Sequence, residues 1–386
     1  MLFHRKSQDS PMIGSQDLYL RCTRCGRQEP WPTLSWHCPA CGGPFEFAGP
    51  PVSNPFNPDW IQSDQTGLAR YAAFLPPVGD TPITLGEGWT PLLSDSFEGY
   101  SVHWKLEFMA PTGSYKDRGV ALMVSTLATQ GVTTVCDDSS GNAGASLAAY
   151  AARASVQATI FTPAYASPAK RAQIAVYGAT LVPVPGPREE ATRAAHRAVE
   201  EGMTYASHNW HPAMLVGLQT IAWEVWEQMG RQGPDWFVLP VGHGSLLLGA
   251  HRGFQRLLTA DLIERLPRLV AVQAEPVAPL YAAFHAGLDE IPAVPSGHTV
   301  AEGIAINQPV RGPALLQALR ESNGTVLQVS DQATLQAQQL LARRGLYVEP
   351  TAAAAVAGLQ QLIKQVKPHE VVVVPLTGSG LKGVPS

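Results

Sequence analysis

The sequence predicts an α/β protein built on parallel sheet, preceded by a small cysteine-bearing module. Three observations carry this. From about residue 100, short apolar runs alternate with helical segments to the end of the chain, the rhythm of parallel strands covered on both faces. Two Cys-x-x-Cys pairs, Cys22/Cys25 and Cys38/Cys41, stand close together near the N-terminus. The 386 residues, 45% hydrophobic and 15% charged, exceed what one simple core needs and describe a folded chain.

The formal net charge of −4 is small for this length and gives no electrostatic argument for nucleic acid or a membrane surface as partner. No stretch reaches the roughly 18 continuous apolar residues of a membrane span. Met1 to Asp9 has no apolar core of signal-peptide length, so the expectation is a cytoplasmic protein. Cys136, the fifth cysteine, sits alone in an apolar strand and reads as a small buried hydrophobe.

Taken in order, residues 1–17 are expected to be a loose tail and residues 18–48 the cysteine module. Pro50-Pro51-Val52-Ser53-Asn54-Pro55-Phe56-Asn57-Pro58 reads as a linker on the surface. Strands are expected at Val102–Phe108, Thr133–Cys136, Ala158–Phe161, Thr180–Val184, Trp236–Pro240, Leu269–Ala274 and Val371–Pro375. Helices are expected at Lys116–Thr129, Ala143–Arg153 and Pro168–Tyr177, after Arg188, over Ala213–Met229, after the glycines at 242 and 244, and at Gln332–Arg343 and Ala352–Val366. Parallel sheets bind ligands beyond the C-terminal ends of their strands, and each motif below follows a strand.

The two cysteine pairs are separated by twelve residues, and each is followed by glycine, Gly26 or Gly42-Gly43. Four thiolates enclose one Zn²⁺ tetrahedrally at about 2.3 Å each and leave no open position, so such a site is structural. The spacing predicts a zinc ribbon whose metal supplies much of its stability. Two reducible disulfides, or a ribbon without metal, are the alternatives. Arg21, Arg24 and Arg27 are too few to make the module a nucleic-acid binder.

Pro111-Thr112-Gly113-Ser114-Tyr115-Lys116-Asp117-Arg118-Gly119 places a lysine at a helix start, directly after a turn. This run resembles the lysine motif of fold-type II pyridoxal 5′-phosphate (PLP) enzymes, and most closely that of threonine synthases. Leu85-Gly86-Glu87-Gly88-Trp89-Thr90-Pro91-Leu92, Asp138-Ser139-Ser140-Gly141-Asn142-Ala143-Gly144, Ala271-Val272-Gln273-Ala274-Glu275, Tyr347-Val348-Glu349-Pro350-Thr351 and Thr377-Gly378-Ser379-Gly380-Leu381-Lys382 are similar to further blocks of that family. One branch of it carries a zinc-ribbon-like N-terminus. The resemblance implies a tryptophan synthase β-like architecture. Its parts would be a ribbon at 18–48, a large PLP-binding domain from 49–130 with 205–386, and a small domain at 131–204.

The resemblance also implies roles. Lys116 would carry PLP as a Schiff base and, once displaced by substrate, take the α-proton. Ser139, Ser140, Gly141, Asn142 and Ala143 would bind the substrate carboxylate at a helix N-terminus, with Asn142 on the cofactor's phenolate oxygen and Ser140 handling protons opposite Lys116. Gly242, His243, Gly244 and Ser245 would cradle the phosphate, with His243 where the family more often has Asn. Thr377 would face the pyridine nitrogen, and a neutral hydroxyl there favours elimination and replacement over transamination. Enzymes of this fold are commonly dimers, so a homodimer acting on an amino acid is expected.

One segment departs from the family. Where threonine synthases bind the phosphate of O-phosphohomoserine, the chain reads His208-Asn209-Trp210-His211-Pro212-Ala213-Met214-Leu215-Val216-Gly217-Leu218-Gln219-Thr220. Met214 stands in an arginine's place, Gln219 in that of a second basic residue, and Ala143 in that of a threonine. Each charge-assisted contact is worth roughly 1.5–3 kcal/mol. Lys170, Arg171, Arg188, His208 or His211 are the candidates to compensate. The leading expectation is threonine synthase-like chemistry, γ-elimination of phosphate from O-phospho-L-homoserine followed by β-hydration. The alternatives are β-elimination from serine or threonine, and a non-catalytic PLP- or ribbon-mediated binding protein.

Overall fold

The computed structural model describes residues 18–50, 52–79, 81–139, 141–166 and 168–383. The chain opens with a three-stranded antiparallel sheet, β1 (Tyr19–Cys22), β2 (Gln28–Pro30) and β3 (Phe45–Ala48), with β1 in the middle. This ribbon is docked rather than tethered. Leu20, Phe45 and Phe47 are buried within the same apolar core as the body of the protein, and Glu46 pairs with Arg252 and Arg311. The core that so small a module lacks is therefore borrowed from its neighbour.

The stretch expected to be a surface linker is not one throughout. Phe56 is 2% exposed and stacks on Phe74 at 4.2 Å, and Arg256 donates to the Asn54 carbonyl. Proline and asparagine punctuate the backbone here, but the single aromatic among them finds the core and fastens the segment.

A hairpin follows, β4 (Leu92–Phe97) and β5 (Tyr100–Lys105), then α1 (Lys116–Thr129). The expected strand at Val102–Phe108 is thus shifted upstream and is the second arm of an antiparallel pair. The chain then runs β6 (Thr134–Asp137), α2 (Asn142–Arg153), β7 (Gln157–Pro163), α3 (Pro168–Val176), β8 (Thr180–Val184), α4 (Arg188–Glu200) and β9 (Thr204–Tyr205). These strands form a parallel four-stranded sheet in the order β8-β7-β6-β9.

Next come α5 (Pro212–Leu218) and α6 (Thr220–Gln228), where one helix over Ala213–Met229 was expected; the two meet at Gln219. α5 starts sharply because Pro212 occupies its first turn and the His211 side chain accepts from Ala213 N. The remainder is β10 (Trp236–Pro240), α7 (Ser245–Thr259), β11 (Arg268–Ala274), α8 (Pro279–His285), α9 (Gly312–Glu321), β12 (Thr325–Val329), α10 (Asp331–Arg343), α11 (Pro350–Leu362) and β13 (Val371–Pro375). The second main sheet runs β12-β11-β10-β13-β5-β4, parallel except for the β4 edge. β10 is buried along its whole length and β13 along nearly all of it, which explains their continuous apolar runs.

Candidate active site

Lys116 is the first residue of α1, and the turn before it is held from several sides. Asp117 accepts from Thr112 N at 2.7 Å, from Thr112 Oγ1 at 2.6 Å and from Ser146 Oγ at 2.6 Å. Tyr115 N donates to Thr377 O at 3.1 Å, Ser379 N to Gly113 O at 3.0 Å, and Glu349 N to Gly378 O at 3.0 Å. Three segments distant in sequence are thereby laced together, placing Lys116, Thr377 and Glu349 around one cavity.

α1 is rigidly seated. Its Gly119 faces Met214 of α5, and a Cβ on Gly217 of α5 would lie 2.3 Å from Arg118 O. Next to Lys116, Arg118 is fully buried and bonds both Glu107 and Glu224; Lys105, also fully buried, bonds Glu224 at 2.9 Å. Two cations thus meet two carboxylates away from water. Burial alone would raise the Glu224 carboxyl, but Arg118 and Lys105 outweigh it and hold it down to about 2.

The cavity lies where strand ends from both sheets meet. Ser139, Gly141, Asn142 and Ala143 line it from the turn between β6 and α2. Gly144, just beyond, is where the turn is tightest: a Cβ there would lie 2.0 Å from Ser139 O. Gly242, His243, Gly244 and Ser245 line it from the turn between β10 and the fifteen-residue α7. Gly244 has φ +79°, and a Cβ on it would lie 2.2 Å from Leu315, so only glycine brings the backbone into this shape. Ser140 lies outside the described residues.

Lys170, Arg188 and His208 also line the cavity. Arg188 opens the thirteen-residue α4, and Lys170 pairs with Glu302 across the cavity lining. His208 Nδ1 lies 3.1 Å from Asp137 Oδ2. Burial, reinforced by Lys116, holds His208 well below the usual histidine range, and burial acts on His243 in the same direction. Burial, with Asp138 beside it, lifts the Asp137 carboxyl as well, and His208 and Asp137 share this contact away from water. Met214 and Gln219 are buried in α5 and at its end, at 0% and 2% exposure, and neither lines the cavity. Of the five compensating candidates, Lys170, Arg188 and His208 are present there.

The cavity suits PLP. Thr377 Oγ1 and His243 Nδ1 are buried with no hydrogen-bond partner among the described residues, although buried polar groups are nearly always paired. A ligand with polar atoms satisfies both. Lys116 Nζ lies 4.7 Å from the Tyr115 ring centroid, and the glycine turn presents a helix N-terminus for a phosphate. In the ribbon, the four cysteine sulfurs lie within 4.8 Å of one another, with Cys22–Cys41 at 3.4 Å and Cys25–Cys38 at 3.7 Å. Tetrahedral zinc sets sulfurs about 3.8 Å apart, and all four cysteines are free thiols.

Sequence reasoning gave Glu349 and Lys382 no role, although both stand in family-like blocks. Asn142 Nδ2 donates to Glu349 Oε1 at 2.8 Å, and Lys382 Nζ donates to Asn142 Oδ1 at 2.7 Å. It also missed the 302–306 segment in the cavity wall, which has no sheet or long helix to announce it.

Residues 83–378 match the family described as "Pyridoxal-phosphate dependent enzyme". The chain is 32% identical over 374 residues to the threonine synthase of Methanocaldococcus jannaschii, covering 94% of this chain and 92% of that one. The chain belongs to the threonine synthase family. The threonine synthase of Mycobacterium bovis is 35% identical over 326 residues, covering 82% of this chain and 88% of its own. Among solved structures, a threonine deaminase from "T.th." superposes with a TM-score of 0.67 at 27% identity, over 77% of this chain and 94% of that one. Membership of the threonine synthase family makes the protein a PLP-dependent lyase of fold type II.

Proposed function

We propose that the protein is a threonine synthase, releasing phosphate from O-phospho-L-homoserine and adding water to give L-threonine, with PLP attached to Lys116. The observation that supports this most is the meeting in one cavity of Lys116, the unpaired Thr377 hydroxyl, the Gly242–Ser245 turn and the cations Lys170 and Arg188. PLP, when bound, withdraws electrons from the substrate's α-carbon and makes its proton removable.

The chain's own residues do the rest. The N-terminus of α7 and the glycine turn hold the cofactor phosphate. Thr377 Oγ1 would hold the ring nitrogen as a neutral partner, with no carboxylate there to keep it protonated. The α2 N-terminus, with Ser139 and the Asn142 backbone N–H, would take the substrate carboxylate, while the Asn142 side chain would face the cofactor's phenolate oxygen. Lys116 Nζ would anchor PLP and is the base that would take the substrate's α-proton. Arg188 and Lys170 orient the leaving phosphate, and His208, held neutral, is able to pass a proton near them. In the ribbon, Cys22, Cys25, Cys38 and Cys41 hold a structural Zn²⁺. The small domain is residues 131–204, the working form is a homodimer, and the compartment is the cytoplasm.

Two assays decide between substrates. Phosphate release from O-phospho-L-homoserine is expected, and 2-oxobutanoate release from threonine is expected to be minor. The reverse result favours the dehydratase reading, for which the likeness to a threonine deaminase structure and Ala143 in place of a threonine speak. Purified protein should absorb near about 410–430 nm, and Lys116→Ala should not.

A further inference from the structure

We propose that Lys382 and Glu349 form a clamp that fixes which way the Asn142 amide faces, so that it presents one N–H, and not its oxygen, to the cofactor's phenolate. This rests on the reading above that PLP occupies the cavity beside Lys116.

An asparagine amide has one acceptor end and one donor end of nearly the same shape, and its bonding partners decide which is which. Lys382 Nζ lies 2.7 Å from Asn142 Oδ1. An ammonium donates and has nothing to accept with, so Oδ1 is held on that side. Glu349 Oε1 lies 2.8 Å from Asn142 Nδ2 and takes one of the two amide hydrogens. A single N–H remains, and Asn142 lines the cavity. A flipped amide would set its oxygen against an anionic oxygen, which is repulsive.

The surroundings are shaped for the clamp. A Cβ on Gly378 would lie 2.3 Å from Glu349 Oε1, and one on Gly113 would lie 3.4 Å from Lys382 Cδ. Gly378, in the C-terminal loop, thus leaves the space that the Glu349 carboxylate occupies, and Lys382 runs past Gly113 at ordinary contact distance. Glu349 N is tied to Gly378 O at 3.0 Å, so the carboxylate is aimed by the same lacing that brings Thr377 to the cavity. Lys382 and Glu349 are positioning residues: they act through Asn142.

The test is the absorption spectrum of PLP-loaded protein at one neutral pH, because the balance between the visible and near-ultraviolet bands reports the charge on the phenolate oxygen. Lys382→Met removes the donor, and most of the visible absorbance is expected to move to the near-ultraviolet. Lys382→Arg and Lys382→Gln both retain an N–H for Asn142 Oδ1 and are expected to keep the wild-type spectrum. A wild-type spectrum in Lys382→Met overturns the clamp. So does a glutamine variant that shifts while the arginine variant does not, since that assigns the effect to charge rather than to amide orientation. Should Lys382→Met not fold, as judged by thermal melting, the glutamine and arginine pair decides alone by the same criterion. Absence of any visible band in the wild-type protein incubated with PLP would instead defeat the reading on which the clamp rests.

Discussion

Arg188 lines the cavity from the start of α4, whereas Met214 is sealed between α1 and α5. The segment 208–220 thus brings His208 to the cavity but buries Met214 away from it, while Lys170 and Arg188 add cations to the lining. Arg188→Ala is expected to raise KM for O-phospho-L-homoserine about 10- to 150-fold, the loss of one charge-assisted contact. Met214→Leu should leave KM within about twofold, and steady-state kinetics of the two variants checks both. Lys116, Asn142, Thr377 and the glycine turn were legible because each is carried by a contiguous block of several residues. Lys170, Arg188 and His208 could be named but not placed. Lys170 lies on α3, Arg188 on α4 and His208 in the loop after β9, and only packing brings them to the cavity beside Lys116.

The crossing of α1 and α5 shows how elements set the site. Backbone approaches backbone at Gly217, where a Cβ would meet Arg118 O and Gly119 Cα. Gly217→Ala is expected to cost about 1–3 kcal/mol as overpacking, visible as a lower Tm, with PLP affinity falling because α1 carries Lys116. Beneath that crossing, Glu224→Gln leaves Arg118 and Lys105 with less than their balancing charge and should cost about 3–5 kcal/mol at pH 7. Glu224 is held near 2 in the fold, below an ordinary glutamate, so its contribution is full above about pH 4.5. It is lost as pH falls toward 2, and the stability gap between wild type and Glu224→Gln should close over that window in denaturant titrations. Buried parallel strands such as Trp236–Pro240 and Val371–Pro375 were readable end to end, because burial on both faces leaves an unbroken apolar run. β4 was not: Leu92-Leu93-Ser94-Asp95-Ser96-Phe97 is a half-exposed edge strand with too little apolar pattern. α9, opening on Gly312-Pro313, and the short α8 were masked by the proline- and glycine-rich stretch between them.

Across the whole molecule, the ribbon ties parts that the chain order keeps apart. Trp36 packs against His196, Tyr205 and Trp210, while Arg311 donates to Phe45 O in the ribbon and to Trp210 O beside the His208 loop. Removing a metal from the four cysteines should then loosen more than the ribbon. A strong chelator is expected to lower the Tm of the full chain and to reduce activity together, and a melt unchanged by chelation would rule out a structural metal. Two of the protein's ion-paired groups also answer differently to ionic strength. Arg118 and Lys105 lie at 0% exposure, beyond the reach of mobile ions, whereas Lys170 and its partner Glu302 stand partly in solvent and are screened. Raising salt from about 0.05 to 0.5 M should therefore weaken capture of a doubly charged phosphate ester while leaving the melting temperature nearly where it was, so the enzyme would tire of its substrate in brine long before it lost its shape.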